Sequence, residues 1–160
     1  MNIVIDIDNI KLSSKMTKEE FECIFPNADL KKYDKVFEYS MTGIVFEMNY
    51  PSNIVVYFKN NNIIQLSVFP TKERMDSREF DLEESYNDYN DALERIYGRK
   101  LSNIFGKQKI WHFSDATLKH YLFERFCMEE RIEVLFKKIV WILLNGLVDK
   151  RTKYNYYVIQ

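Results

Sequence analysis

Two cysteines, two histidines, three prolines and four glycines are all that the 160 residues hold of these types. Cys23 and Cys127 stand far apart, and neither has a second Cys or His at ligand spacing. That pattern fits neither a disulfide framework nor a zinc cluster, and a reducing cytoplasm is the simplest setting for it. Glycine-rich phosphate loops, G-x-S-x-G and H-E-x-x-H are all absent, so no familiar catalytic motif points to a reaction. The apolar run at 139–144 is far too short to span a bilayer, and the first eight residues carry two acids and no basic stretch, unlike a signal peptide. A net charge of −1 exerts no overall pull on nucleic acid or an anionic membrane.

What the chain does have is apolar and aromatic content: 46% hydrophobic, 29% charged, with 12 Phe and 11 Tyr. That is the profile of a globular protein, and its aromatic content leans towards β-structure, where half-buried aromatics are enriched. The length suits a single domain spanning 1–160 that buries roughly 70% of its unfolded surface.

The stretch 43–70 organises the rest. It reads as three antiparallel strands, G-I-V-F-E-M-N-Y, N-I-V-V-Y-F-K and N-N-I-I-Q-L-S-V-F-P. Breaks fall at Tyr50-Pro51-Ser52-Asn53 and at Asn60-Asn61-Asn62, residues that favour turns. In the first strand Ile44, Phe46, Met48 and Tyr50 share one face, because successive strand side chains point to opposite sides. Residues 2–7 alternate as a further strand, and 36–41 read as another leading to Gly43. Thr17 three residues before Glu20 is a capping-box spacing, so a short helix starts there and Pro26 ends it. The polar stretch 71–85 reads as an exposed loop, and a second helix is expected over 86–99 with Gly98 near its end. Strands are then expected at 107–113, 118–126 and 130–138, with a last one at 154–159 after an Asn145-Gly146 turn. The fold class is therefore α+β: a predominantly antiparallel, aromatic-rich meander of about six to eight strands with two helices packed against it.

Four groups of residues carry potential chemistry. His112 and His120 flank the turn at 114–117; with the turn centred on Ala116 they face each other, with Glu124 further along the same side. Two imidazoles and a carboxylate are a possible metal set, but a one-residue change of register separates them. Cys127 lies near His120 in sequence but lacks an orienting partner, and Asp6 and Asp8 alternate with isoleucines without a third acid. The fourth group is the charge run from 76 to 94: Asp76, Glu79, Asp81, Glu83, Glu84, Asp88, Asp91 and Glu94 against Arg78 alone, a net −7. Such a segment suits either a solvated helix start or a docking surface for a basic partner, with Tyr86 and Tyr89 as anchors.

The short helix after the first strand, the strands G-I-V-F-E-M-N-Y and N-I-V-V-Y-F-K, and the later W-H-F, L-K-H-Y-L-F-E-R-F and E-E-R-I-E-V-L-F carry a resemblance. In this pattern, over about 10–140, the chain resembles the small immunity proteins of bacterial polymorphic toxins, including contact-dependent growth inhibition systems. The resemblance implies a cytoplasmic, non-enzymatic protein without a cofactor. Such a protein binds a cognate toxin domain, often a nuclease, and blocks its active site or substrate access without touching nucleic acid or membrane itself. The competing expectation is a small-ligand or metal-binding α+β enzyme with a pocket near His112 and His120. A third is an oligomerising module that pairs through the tyrosine-rich strand at 154–159.

Overall fold

The structure, a computed structural model, describes residues 1–100, 108–123 and 129–137. The chain opens with a hairpin of β1 (Val4–Ile7) and β2 (Ile10–Ser13), then α1 (Lys18–Ile24). Next come β3 (Asp29–Tyr33), β4 (Val36–Gly43), β5 (Ser52–Lys59) and β6 (Asn62–Pro70). Two helices follow, α2 (Lys72–Met75) and α3 (Leu82–Tyr97), and then β7 (Gln108–His112), β8 (Ala116–Phe123) and β9 (Glu129–Phe136). Strands β3 to β9 form one antiparallel sheet in the order β3-β4-β5-β6-β9-β8-β7. The fold is α+β, two meanders joined where β9 pairs with β6.

Alternation decides which face of the sheet is the core. Tyr39 on β4, Ile54, Val56 and Phe58 on β5, Leu66 and Val68 on β6, Ile132 and Val134 on β9, Leu118 on β8 and Trp111 on β7 share one buried face. Ile3, Ile5, Ile7 and Leu12 from the hairpin, Phe21 from α1 and Tyr89 and Leu93 from α3 complete the same cluster. Phe21, Phe25, Tyr39 and Phe58 pack with ring centroids 4.8 to 5.7 Å apart, contacts that add to the burial of each ring. Asp8 and Asn9 close the hairpin at φ 51 and 67, a left-handed turn suited to these residue types. A carboxylate oxygen of Asp115, in the β7–β8 turn, accepts from the Ile3 amide at 2.9 Å, and its other oxygen accepts from the Ser14 hydroxyl at 2.7 Å. This one side chain fastens both ends of the hairpin to the far side of the sheet.

Three expectations change. The stretch 44–51 is not a strand: β4 occupies 36–43 instead and pairs with β5 along all eight residues, leaving 44–51 no place beside β5 and only a single bridge, Val45 with Ile7. The stretch turns inward, Phe46 and Glu47 both taking φ 56, and it buries Val45, Phe46 and Met48. The expected loop at 71–85 contains α2 and the start of α3, because Asp81 caps the helix by accepting from the Glu83 and Glu84 amides at 2.8 and 3.0 Å. The short strands β2 and β3 are additional, and β3 is exposed along its whole length at the sheet edge. Its Lys31 and Lys32 discourage edge-to-edge pairing. Glu124, Cys127, the run at 139–144, the Asn145-Gly146 turn and the expected strand at 154–159 lie outside the described residues.

Among the described residues, no helix is long and apolar enough to cross a membrane.

Candidate functional site

The chain leaves the sheet at Pro70, the end of β6 that lies beside Ser52 of β5, and builds its acidic segment there. Thr71 caps α2 by accepting from the Arg74 amide, and Asp81 caps α3. On α3 the polar and apolar positions separate by helical spacing: Ser85, Tyr86, Tyr89, Asn90, Ala92 and Leu93 face the sheet, while Glu83, Glu84, Asn87, Asp88, Asp91 and Arg95 face solvent. Asp76, Glu79, Asp81, Glu83, Glu84, Asp88 and Asp91 are all exposed, forming an acidic ridge. The acids at the start of α3 also suit the positive end of the helix dipole.

Glu94 does not belong to this ridge. It is half-buried, accepts from the Lys109 ammonium at 2.6 Å and from the Lys100 amide at 3.4 Å, and its carboxyl is held below the ordinary range chiefly by Lys109. Nor do the two tyrosines project as anchors: Tyr86 and Tyr89 are buried against the sheet, where Tyr89 shares a hydrogen bond with Ser52. The expectation fails there because the helix begins earlier than 86 and turns these positions inward.

Other aromatic residues occupy the ridge instead. A cleft of about 320 Å³ is lined by Asn49, Tyr50, Arg74, Ser77, Glu79, Phe80, Asp81, Glu84 and Asp88. The Arg74 guanidinium lies 3.3 Å from the centre of the Tyr50 ring and 5.7 Å from that of Phe80, a stacking geometry favourable for a cation. It also pairs with Asp88 at 3.7 Å. Burial pushes the Tyr50 hydroxyl up to about 12, with Arg74 opposing, so the phenol stays protonated and can donate to Asp88 at 3.5 Å. Sequence reasoning missed Tyr50, Arg74 and Phe80, and the detectable signal was Asp81 followed by Glu83 and Glu84, which places a helix start immediately after Phe80.

The histidine site takes a different form from the one expected. The β7–β8 register pairs His112 with Thr117 and His120 with Lys109, so the partner of His112 is three residues from the one expected, and this odd shift leaves the two histidines on opposite faces. His112 is exposed and His120 fully buried. His120 Nε2 lies 3.1 Å from Glu130 Oε1, and its Nδ1 lies 2.8 Å from Asn90 Oδ1. Ser85 donates its hydroxyl to the other Glu130 oxygen at 2.6 Å. Burial depresses the His120 pKa, with the Glu130 carboxylate opposing. A Ser, a His and a Glu are thus close, but the serine addresses the glutamate rather than the imidazole, and all three are shut away from solvent. Nucleophilic catalysis needs the opposite arrangement. Among the described residues no group of three or more His, Cys, Asp or Glu is placed to hold a metal.

A larger groove, about 640 Å³, runs between the 24–29 segment and the end of β4 and β5, beside Asp8, Phe25, Met41 and Ile54. One oxygen of Asp8 there is already engaged by the Ile44 amide at 2.8 Å.

Comparison of the chain with family models, with curated proteins and with solved structures gives no match.

Proposed function

We propose that this protein binds a basic surface of another protein through the acidic ridge of α2 and α3, and that the partner is the toxic domain of a polymorphic toxin, held inactive by steric and electrostatic blockade. The observation that carries the reading is the gathering of Asp76, Glu79, Asp81, Glu83, Glu84, Asp88 and Asp91 as exposed side chains on one end of a molecule whose net charge is only −1. Beyond the cap that Asp81 makes and the pairing of Asp88 with Arg74, like charges crowded together repel, and such a surface suits a cationic counterpart. The cleft supplies the apolar part of the surface: Tyr50 and Phe80 flank Arg74, and acids ring it. A lysine or arginine from the partner fits its polar rim, while the rings provide area with little side-chain entropy to lose. The toxin assignment itself draws on the sequence pattern that resembles immunity proteins, one element of which, the expected strand G-I-V-F-E-M-N-Y, is not a strand.

The test pairs this chain with the C-terminal domain encoded by the reading frame immediately upstream of its own. Glu79→Lys, Glu84→Lys and Asp91→Lys together are expected to slow association by about tenfold or more at low salt and to flatten its salt dependence. Lys35→Glu, in the β3–β4 turn at the opposite end of the strands, is expected to leave both unchanged. Equal binding by the triple variant overturns the ridge as the interface, and a neighbouring domain that neither binds nor is neutralised overturns the toxin reading.

A further inference from the structure

A guanidinium is held best where a flat aromatic ring lies under its plane and a carboxylate meets its edge. The cleft beside the start of α3 offers both, and the chain fills it with its own Arg74. The platform is Tyr50. Its ring meets that of Tyr89 edge-on at 5.9 Å, and Tyr89 is buried and shares a hydrogen bond with Ser52 of β5, so the platform is fixed to α3 and the sheet. The occupant comes from a much smaller element, since α2 is a single turn of four residues, none of them buried.

Arg74 fits this seat incompletely. Its Cζ lies 3.3 Å from the centre of the Tyr50 ring, which is full stacking contact. Its Nη2, however, stands 3.7 Å from Asp88 Oδ2, where a charge-assisted hydrogen bond measures about 2.7–2.9 Å. Nη1 is buried and has no hydrogen-bond partner among the described residues, and a buried donor without an acceptor is costly. Charge is also left over. Glu79, Asp81, Glu84 and Asp88 line the cleft against Arg74 alone, a net −3, and about 320 Å³ stands open beside it.

We propose that the cleft is a guanidinium-binding site in which Arg74 is a built-in stand-in, and that an arginine side chain of the partner displaces it from Tyr50 and pairs with Asp88.

The exchange conserves what the site already provides. An arginine arriving from the open side brings a fork of donors free to align with the Asp88 carboxylate, whereas Arg74 must reach it from its place in α2. With four carboxylates present, the released Arg74 and the incoming arginine together still leave the cleft negative. Lysine suits the site less, because a compact ammonium neither lies flat on a ring nor pairs through two parallel bonds. Self-occupation also sets a threshold: a lone cation must compete with a tethered one, while a partner that touches the rest of the ridge has further contacts to offset the exchange. The partner's part in this rests on the ridge being the binding surface; the site itself does not.

The experiment therefore uses a free probe, N-acetyl-arginine amide, titrated into the full chain and followed through the Phe80 ring and Asp88 amide resonances. Arg74→Ala is expected to bind the probe about tenfold more tightly than the wild type, the factor that applies when Arg74 fills the site about nine-tenths of the time. Removing Arg74 also makes the cleft more negative, so N-acetyl-lysine amide serves as the control for charge and is expected to gain clearly less. Tyr50→Leu placed on Arg74→Ala is expected to abolish the difference between the two probes. Equal gains for both probes, a gain that survives Tyr50→Leu, or weaker binding of the arginine probe by Arg74→Ala each overturn the proposal. If Arg74→Ala does not fold, Arg74→Gln is judged by the same criteria. No partner is needed for this titration, so its failure leaves the ridge test standing, and a partner that fails to bind leaves the guanidinium site intact.

Discussion

Asp115 shows how much of the fold can hang on one side chain. Its carboxylate accepts from the backbone of residue 3 and the hydroxyl of residue 14, and its own carbonyl accepts from the Lys137 amide at 2.8 Å. Asp115→Ala is expected to cost about 2–3 kcal/mol in urea denaturation, because two donors lose their acceptor at once. Asp115→Asn keeps one oxygen and should cost about half that. At Gly43 a Cβ would come within 2.6 Å of Asp8 Oδ2, the other oxygen of the carboxylate that accepts from the Ile44 amide. The pH dependence of stability also begins with single groups. Burial lowers the folded pKa of His120, so its contribution is complete above about 6.5 and declines as pH falls, by at most about 1.4 kcal/mol per pH unit. Glu94 and Glu22 are lowered too, by Lys109 and by Tyr39 first; their contribution is lost only as pH falls below the ordinary carboxylate range. Thermal melts across pH are therefore expected to show two separate declines, and His120→Gln should remove the upper one.

Helix α3 carries the acidic ridge on its outer face and the buried Ser85 and Asn90, bonded to Glu130 and His120, on its inner one. Its start depends on Asp81, so Asp81→Ala is expected to lower stability by about 1 kcal/mol and to raise amide exchange in the first turn, where Glu83 and Glu84 stand. The elements differ in how far their sequences reveal them. The capping box of Thr17 and Glu20 forms in full at α1, and β5 and β6 stand where their β-branched and aromatic runs put them. In 44–51 the same alternation misleads, because strand pattern is local whereas pairing is a competition for edges, and β4 takes the edge of β5 first. Asp29-Leu30-Lys31-Lys32-Tyr33 gives no strand signal of its own; it is extended because it pairs with β4 at a sheet edge. The histidines were misjudged by three residues of register, and any odd shift in a sheet reverses the face.

Across the whole molecule the charges are unevenly placed, and the exposed acids were legible because seven carboxylates so close in sequence cannot all be buried. The inward turn of Tyr86 and Tyr89 was not legible, since it depends on where the helix starts and what it rests upon. Complementary charge acts mainly on encounter, so raising the salt concentration is expected to slow association with a basic partner and to change dissociation far less. Stopped-flow rates in a salt series measure this directly. The triple lysine variant should show a slope near zero.

The tie between residue 3 and residue 115 has a further consequence in time. These groups are 112 residues apart in sequence, and a ribosome adding about 5–20 residues per second separates their synthesis by roughly 5–20 s. Throughout that interval Ile3, Ile5 and Ile7, which end with no exposed surface, have no finished sheet to cover. The part of the chain made first is among the last to be housed, and the nascent protein must be shielded at its leading end until the β7–β8 turn emerges.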